Sequence, residues 1–224
     1  MIKKIKIKNY RIFKSLEFEP KAGMNIIVGD NDSGKSTLIE AMTLALNGRL
    51  NGRWIGDELH PYLFNKDIVN DFFSKVYNSL EVVPPRIIIE VYFDKEDDPQ
   101  KIRGTNNTEY EDCPGISLII EPDEEYKEEF RKYLENKPPA ILPVEYYKVT
   151  WKGFDGEPLR RRPKELNVAF IDTRTFQSKA GVDYYTRQML KNFVNKSEGT
   201  KISVAYRQLR HTLTQEVLES VNTK

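Results

Sequence analysis

The sequence predicts a mixed α/β fold centred on one strand–loop–helix unit. Three observations predict it. Met24–Gly29 (MNIIVG) is a short apolar run rich in β-branched residues, the pattern of a buried strand. Ser36–Leu46 (STLIEAMTLAL) carries apolar residues at helical spacing among strong helix formers. Between them, Gly29-Asp30-Asn31-Asp32-Ser33-Gly34-Lys35-Ser36 satisfies G-x-x-x-x-G-K-[ST] at every fixed position.

The remaining elements follow in order. Ile2, Ile5 and Ile7 alternate with lysines, and Leu16 and Phe18 suggest a return strand, so residues 2–20 read as an antiparallel hairpin. Gly48, Asn51 and Gly52 end the first helix. Asp67–Leu80 reads as a helix with Ile68, Phe72, Phe73 and Val76 on one face. Arg86–Phe93 and Ile116–Ile120 read as strands flanking a polar loop from Asp94 to Pro114, and Glu124–Leu134 as a charged helix. Pro138, Pro139 and Pro143 mark a boundary. Glu145–Trp151 alternates, Lys152–Pro158 has turn chemistry, and a further strand is expected to pair after it. Leu166–Ile171 reads as a buried strand. Val182–Phe193 and Ile202–Val221 read as amphipathic helices with no stop signal near Lys224. Residues 1–177 are expected to form one lobe, with an antiparallel subregion over about 81–165. Residues 178–224 are expected to begin a helical lobe that continues in a longer protein.

Composition bounds the function. The 224 residues are 39% hydrophobic and 31% charged, too aromatic and apolar for a disordered chain. Thirty-five basic and thirty-four acidic residues leave a net charge of +1, so no gross field announces a polyanionic partner. Cys113 stands alone, which excludes a disulfide framework and a cysteine zinc site. No apolar run approaches the roughly 20 residues of a membrane span. A cytoplasmic location is expected. The charge is unevenly placed: the first fourteen residues are basic, Asp94–Glu129 is acidic, and Arg160, Arg161 and Arg162 stand in a row. Such blocks are solvated faces or, for the basic ones, tracks for nucleic-acid phosphates.

The glycine-rich motif carries the chemistry. Gly29 and Gly34 allow successive backbone N–H groups to turn inward as an anion nest, which the backbones of Asn31, Asp32 and Ser33 complete. The helix that starts near Lys35 aims its positive end at the phosphates. Lys35 is expected to reach the β/γ-phosphate oxygens of ATP and Ser36 to bind Mg²⁺, with Thr37 near the α-phosphate. His60 and His211 have no partner spacing for metal or catalysis, and both read as structural.

The run Ile5–Lys8, Asn9-Tyr10-Arg11-Ile12-Phe13, Leu16–Phe18, Met24–Val28 and then the P-loop resembles the N-terminus of ABC-type ATPases of the RecF, Rad50 and SMC group. Those proteins open with a strand, N-F/Y-R/K-x-F, a second strand and G-x-N-x-x-G-K-S. Asn31 matches that group's Asn, and Asp32 replaces a commoner Gly or Asn. Weaker stretches, among them Asp57–Asn65, Pro85–Phe93, Pro143–Trp151 and Val168–Thr173, resemble the ATPase half of OLD-family (overcoming lysogenization defect) proteins, which join such an ATPase to a Toprim nuclease. The resemblance implies the N-terminal lobe of an ATP-dependent DNA endonuclease, with ATP and Mg²⁺ as cofactors, DNA as a partner and a homodimer or higher homo-oligomer. It implies a phosphate- or base-contacting Arg11. It also implies a Q-loop role for Gln177, contacting Mg²⁺ and the attacking water. The alternative is a RecF-like DNA-binding ATPase or a nucleotide-sensing partner without nuclease activity. A Walker B segment is not evident: Val168–Asp172 (VAFID) comes closest but is followed by Thr173 rather than Glu. Nucleotide binding with little turnover is therefore expected of residues 1–224.

Overall fold

A computed structural model describes residues 1–50, 52–78, 82–94, 100–135, 141–163 and 166. All lie in one compact unit, Met1–Leu166. The expected strand 166–171, the terminal helices, Gln177, His211 and the Walker B candidate fall outside the described residues, Leu166 excepted.

The frame is an antiparallel sheet. Its strands are β1 (Ile2–Tyr10), β2 (Phe13–Phe18), β5 (Ile87–Phe93), β7 (Cys113–Pro122) and β8 (Tyr147–Gly153), in the order β2-β1-β5-β7-β8. A two-residue strand, β6 (Arg103–Gly104), pairs with the start of β7. The N-terminal hairpin is thus an integral part of the sheet rather than a separate ribbon. Register explains why. Ile5 stands opposite Val91, Val91 opposite Ile116, Ile7 opposite Ile89, and Ile89 opposite Leu118. All six are fully buried. With a side-chain period of two, one face becomes continuously apolar. The other face carries Lys4, Lys6, Glu90 and Ser117.

Helix α1 (Lys35–Asn47) lies on β5 and β7, with Leu38, Ala41, Leu44 and Ala45 buried. Gly48, left-handed at φ 66°, ends it and donates to the Leu44 carbonyl at 2.7 Å. The rings of Trp54 and Trp151 close over this end, and the Trp151 Nε1–H donates to the Ala45 carbonyl at 2.7 Å. A short hairpin follows, β3 (Arg49–Leu50) and β4 (Arg53–Trp54). Helix α2 (Lys66–Tyr77) is capped by Asn65, whose side chain accepts from the N–H groups of Asp67 and Ile68. Helix α3 (Lys127–Glu135) buries Phe130 and carries charge elsewhere.

Four expectations change. Met24–Gly29 forms no strand among the described residues: Met24, Ile26 and Val28 are 87, 76 and 83% exposed. Its composition suits a ladder, but a strand exists only where a neighbour pairs its backbone, and no described strand does so. The polar loop ends earlier than expected, because Cys113 and Pro114 already pair with β6. Residues 124–126 form a 3₁₀ turn rather than the first turn of α3, with Asp123 accepting from the Glu125 N–H. Among the described residues beyond β8, one isolated bridge, Lys152 to Pro158, forms in place of a further strand.

Candidate nucleotide-binding site

The site lies at the N-terminal end of α1. Asp32 and Gly34 both adopt positive φ, 65° and 94°, and this pair of left-handed residues turns the chain from the loop into the helix. Asp is one of the few side chains that tolerates that region, which accounts for its place where Gly or Asn is usual in the resembling group. Gly34 has a second reason. A Cβ there would stand 2.7 Å from the Phe13 ring and 3.2 Å from the Ile12 Cδ1. The β1–β2 turn is therefore packed directly against the start of the helix. At the other end of the loop, a Cβ on Gly29 would stand 2.7 Å from the Ser33 hydroxyl.

The helix end is electropositive and unoccupied by any side chain of its own. No side chain caps α1, and its first turn holds no acid. Its leading N–H groups keep their anion-binding capacity. The Lys35 ammonium folds back over the loop, donating to the carbonyls of Gly29 (2.7 Å) and Asp30 (2.5 Å) and to the Ser33 Oγ (3.4 Å). A cation, the leading helix N–H groups and a Cβ-free cradle fit a polyphosphate. The exposed Ser36 hydroxyl would take the accompanying Mg²⁺, and half-buried Thr37 follows it. Asn31, Asp32 and Ser33 are exposed around the loop. The structure thus brings together Asn31 to Thr37.

A family profile described as an AAA domain (AAA_23) matches residues 4–219. The chain belongs to that AAA-domain family. Such domains are P-loop ATPase heads of RecF, Rad50 and SMC type, and the loop just described is the P-loop of this one. Similar proteins include the DNA double-strand break repair Rad50 ATPase of Methanopyrus kandleri, 50% identical over 46 residues, or 20% of this chain and 5% of the relative. The DNA replication and repair protein RecF of Desulforudis audaxviator is 47% identical over 45 residues, 20% of this chain and 12% of that protein. The Rad50 ATPase of Nanoarchaeum equitans is 42% identical over 48 residues, 21% and 6%. These alignments therefore cover only a small part of each relative. They support the RecF/Rad50 side of the resemblance and not the OLD side specifically.

Arg11 is held by both its backbone and its side chain. It is left-handed at φ 48°, and its backbone is held twice: its N–H donates to the Leu63 carbonyl (2.7 Å), and its carbonyl accepts from the Asn65 Nδ2 (2.8 Å). Its guanidinium is bidentate to Glu40 of α1, Nε to Oε1 at 2.6 Å and Nη2 to Oε2 at 3.2 Å. The fully buried Tyr10 donates its hydroxyl to the same Glu40 oxygen. Burial, and then this bond to a carboxylate, push the Tyr10 pKa well above the usual phenol range, so it stays a donor. Glu40 and Tyr10 were not legible as site residues. Glu40 lies four residues beyond Ser36, on the same helix face, but its partners are some thirty residues away in sequence.

His60 and Cys113 both lie among aromatic side chains. His60 Nδ1 is buried without a hydrogen-bond partner, beside the Tyr62 ring. Cys113 is buried against Tyr92 and Phe154. Among the described residues no group of three His, Cys, Asp or Glu side chains could hold a metal, and no helix is long and apolar enough to cross a membrane.

Proposed function

We propose that this AAA domain binds Mg-ATP at residues 29–37 and serves as the ATP-binding lobe of a RecF- or Rad50-like machine that acts on DNA. The observation that carries the reading is the uncapped α1 N-terminus, entered through left-handed Gly34 and overhung by Lys35. In it, Lys35 supplies charge to the phosphates, the leading N–H groups of α1 hold phosphate oxygens, and Ser36 orients toward the metal. Bound Mg²⁺ supplies charge neutralisation between the phosphates. The packed Phe13 and Ile12 keep the loop against the helix, so the donors are aimed before the ligand arrives. Gln177 as a Q-loop residue belongs to the same proposal, as does a homo-oligomeric assembly.

The DNA part has separate support. Arg162 donates to Asn47 at the C-terminal end of α1 (3.3 Å), Arg160 and Arg161 beside it are exposed, and Arg49 is exposed on the next element. Exposed guanidinium forks suit phosphodiester oxygens. A nuclease role has no comparable observation in its favour.

Isothermal titration of Mg-ATP into wild type and Lys35→Ala tests the phosphate site. Losing charge-assisted bonds of about 1.5–3 kcal/mol weakens binding roughly 10- to 150-fold. Equal affinity of the two proteins would remove the assignment.

A further inference from the structure

Trp54 is an aromatic residue kept partly in water. It is 36% exposed, and its ring meets that of Trp151 at a centroid distance of 6.3 Å and an angle of 53°, so the two are not stacked face to face. Its seat is made of glycine. A Cβ on Gly48 would stand 2.9 Å from Trp54 Cζ3, and one on Gly56 would stand 2.4 Å from Trp54 Nε1. Those two atoms lie at opposite ends of the indole, so backbone without side chains borders the ring at both ends. Gly48 is also the left-handed residue that ends α1, whereas Gly56 has no positive φ. What glycine provides at position 56 is room for the indole.

Cations surround that seat. Arg49 is the cross-strand partner of Trp54 in the β3–β4 hairpin, so both side chains project from one face of it. One Arg49 nitrogen donates to the Gly52 carbonyl (3.0 Å), which steadies the guanidinium. The run Arg160–Arg162 is tied to the same place at both ends. The Leu159 N–H donates to the Trp151 carbonyl (2.9 Å), and Arg162 donates to Asn47, the residue before Gly48 (3.3 Å). Arg160 and Arg161, between those anchors, are exposed. Glu58, in the turn after Trp54, is engaged by Arg53 at 3.1 Å. An indole among guanidinium groups suits a chain that alternates flat bases with phosphates. Only an unpaired base has a face to offer it, because bases inside a duplex are already stacked on their neighbours.

We infer that Trp54 is a stacking platform for an unpaired base, and that this surface takes single-stranded DNA, with Arg49 and Arg160–Arg162 carrying the phosphates. The inference rests on the reading of this surface as a DNA site and narrows it. A mere cover for Trp151 needs an apolar side chain there but no aromatic face.

The sequence holds two tryptophans, so Trp151→Phe leaves Trp54 as the only indole. Saturating that variant with an oligothymidylate of about 16 nucleotides quenches its emission, because a base stacks on the ring. Trp54→Leu keeps an apolar cover on Trp151 and removes the aromatic face. It weakens oligothymidylate binding by the 224-residue chain about 5- to 150-fold, the worth of one stacked base, read by fluorescence anisotropy. Trp54→Phe recovers most of that loss. Duplex affinity stays within about twofold of wild type in both variants, and the salt-dependence slope is unchanged, because an indole releases no counterion. Thermal melts confirm folding, and Trp54→Met replaces the leucine variant if that one does not fold. Unquenched Trp54 emission at saturation overturns the platform. So does a Trp54→Leu protein that keeps wild-type affinity for the single strand, or one that loses single strand and duplex equally. Wild type that binds neither DNA removes the DNA reading itself, and the platform with it.

Discussion

Replacing Gly34 by Ala tests how the fold aims the loop. The perturbation is one methyl group at a residue with φ 94°, placed 2.7 Å from the Phe13 Cζ and 3.0 Å from its Cε1. Two terms add. A side chain in the left-handed region costs about 1–2 kcal/mol. Overpacking against a ring held between a strand turn and a helix costs about 1–3 kcal/mol. Holding the native loop geometry would therefore cost about 2–5 kcal/mol. The chain has a way out, because residues 29–33 are exposed and can shift. Most of the penalty then appears as a misaimed loop, not as unfolding. Global stability should fall by only about 1 kcal/mol, a drop in Tm of roughly 2–4 °C. Mg-ATP affinity should fall at least about 30-fold, the equivalent of about 2 kcal/mol. Calorimetric titration and a thermal melt on the same preparation separate the two. Affinity within threefold of wild type would refute the argument that the Phe13 contact and positive φ define the site. So would a Tm loss above about 10 °C, which would make Gly34 a core residue instead.

Three further predictions test the frame and the proposed partner. Trp151→Phe removes the donor to the Ala45 carbonyl, 2.7 Å away at the end of α1, while keeping most of the ring. It should lower stability by about 1–2 kcal/mol, read by urea denaturation, and an unchanged midpoint would show the bond contributes nothing. Hydrogen bonds from Lys4, then Lys6, hold the Glu109 carboxyl below its ordinary range near 4.5. A depressed folded pKa gives stability that is fully present above the ordinary value and lost as pH falls through the folded one. Wild type should therefore lose more stability than Glu109→Gln on acidification in that window, and parallel pH titrations of the denaturation midpoint would contradict it. Arg160→Ala/Arg161→Ala should lower the salt-dependence slope of duplex DNA binding by about 1.8, from two lost phosphate contacts, measured by fluorescence anisotropy. An unchanged slope would take DNA off this surface.

Much of the frame was legible because its signals are local. The hairpin at the N-terminus, α1, α2 and β5 each announce themselves by apolar period over a dozen residues or fewer. The phosphate chemistry is equally local, since Gly29, Gly34, Lys35 and Ser36 act within one turn of chain. Sequence period could not show whether Met24–Gly29 would find a partner: β-branched composition says that a segment suits a sheet, while pairing depends on another segment of backbone. Nor could it show that β1 and β2 join β5 and β7 in one sheet.

The sequence by itself determined that this chain carries a P-loop and the apolar patterns of a mixed α/β domain, because both are encoded in near-neighbour spacing. Only the tertiary structure decided where the charges around the loop go. By resemblance Arg11 reads as a phosphate- or base-contacting residue, and the fold sets its side chain on Glu40, with Tyr10 on the same carboxylate. That outcome depends on Leu63 and Asn65 gripping the Arg11 backbone and on Phe13 meeting Gly34, contacts between segments distant in sequence. Electrostatic partnership is a matter of distance in space, and no spacing along the chain specifies it.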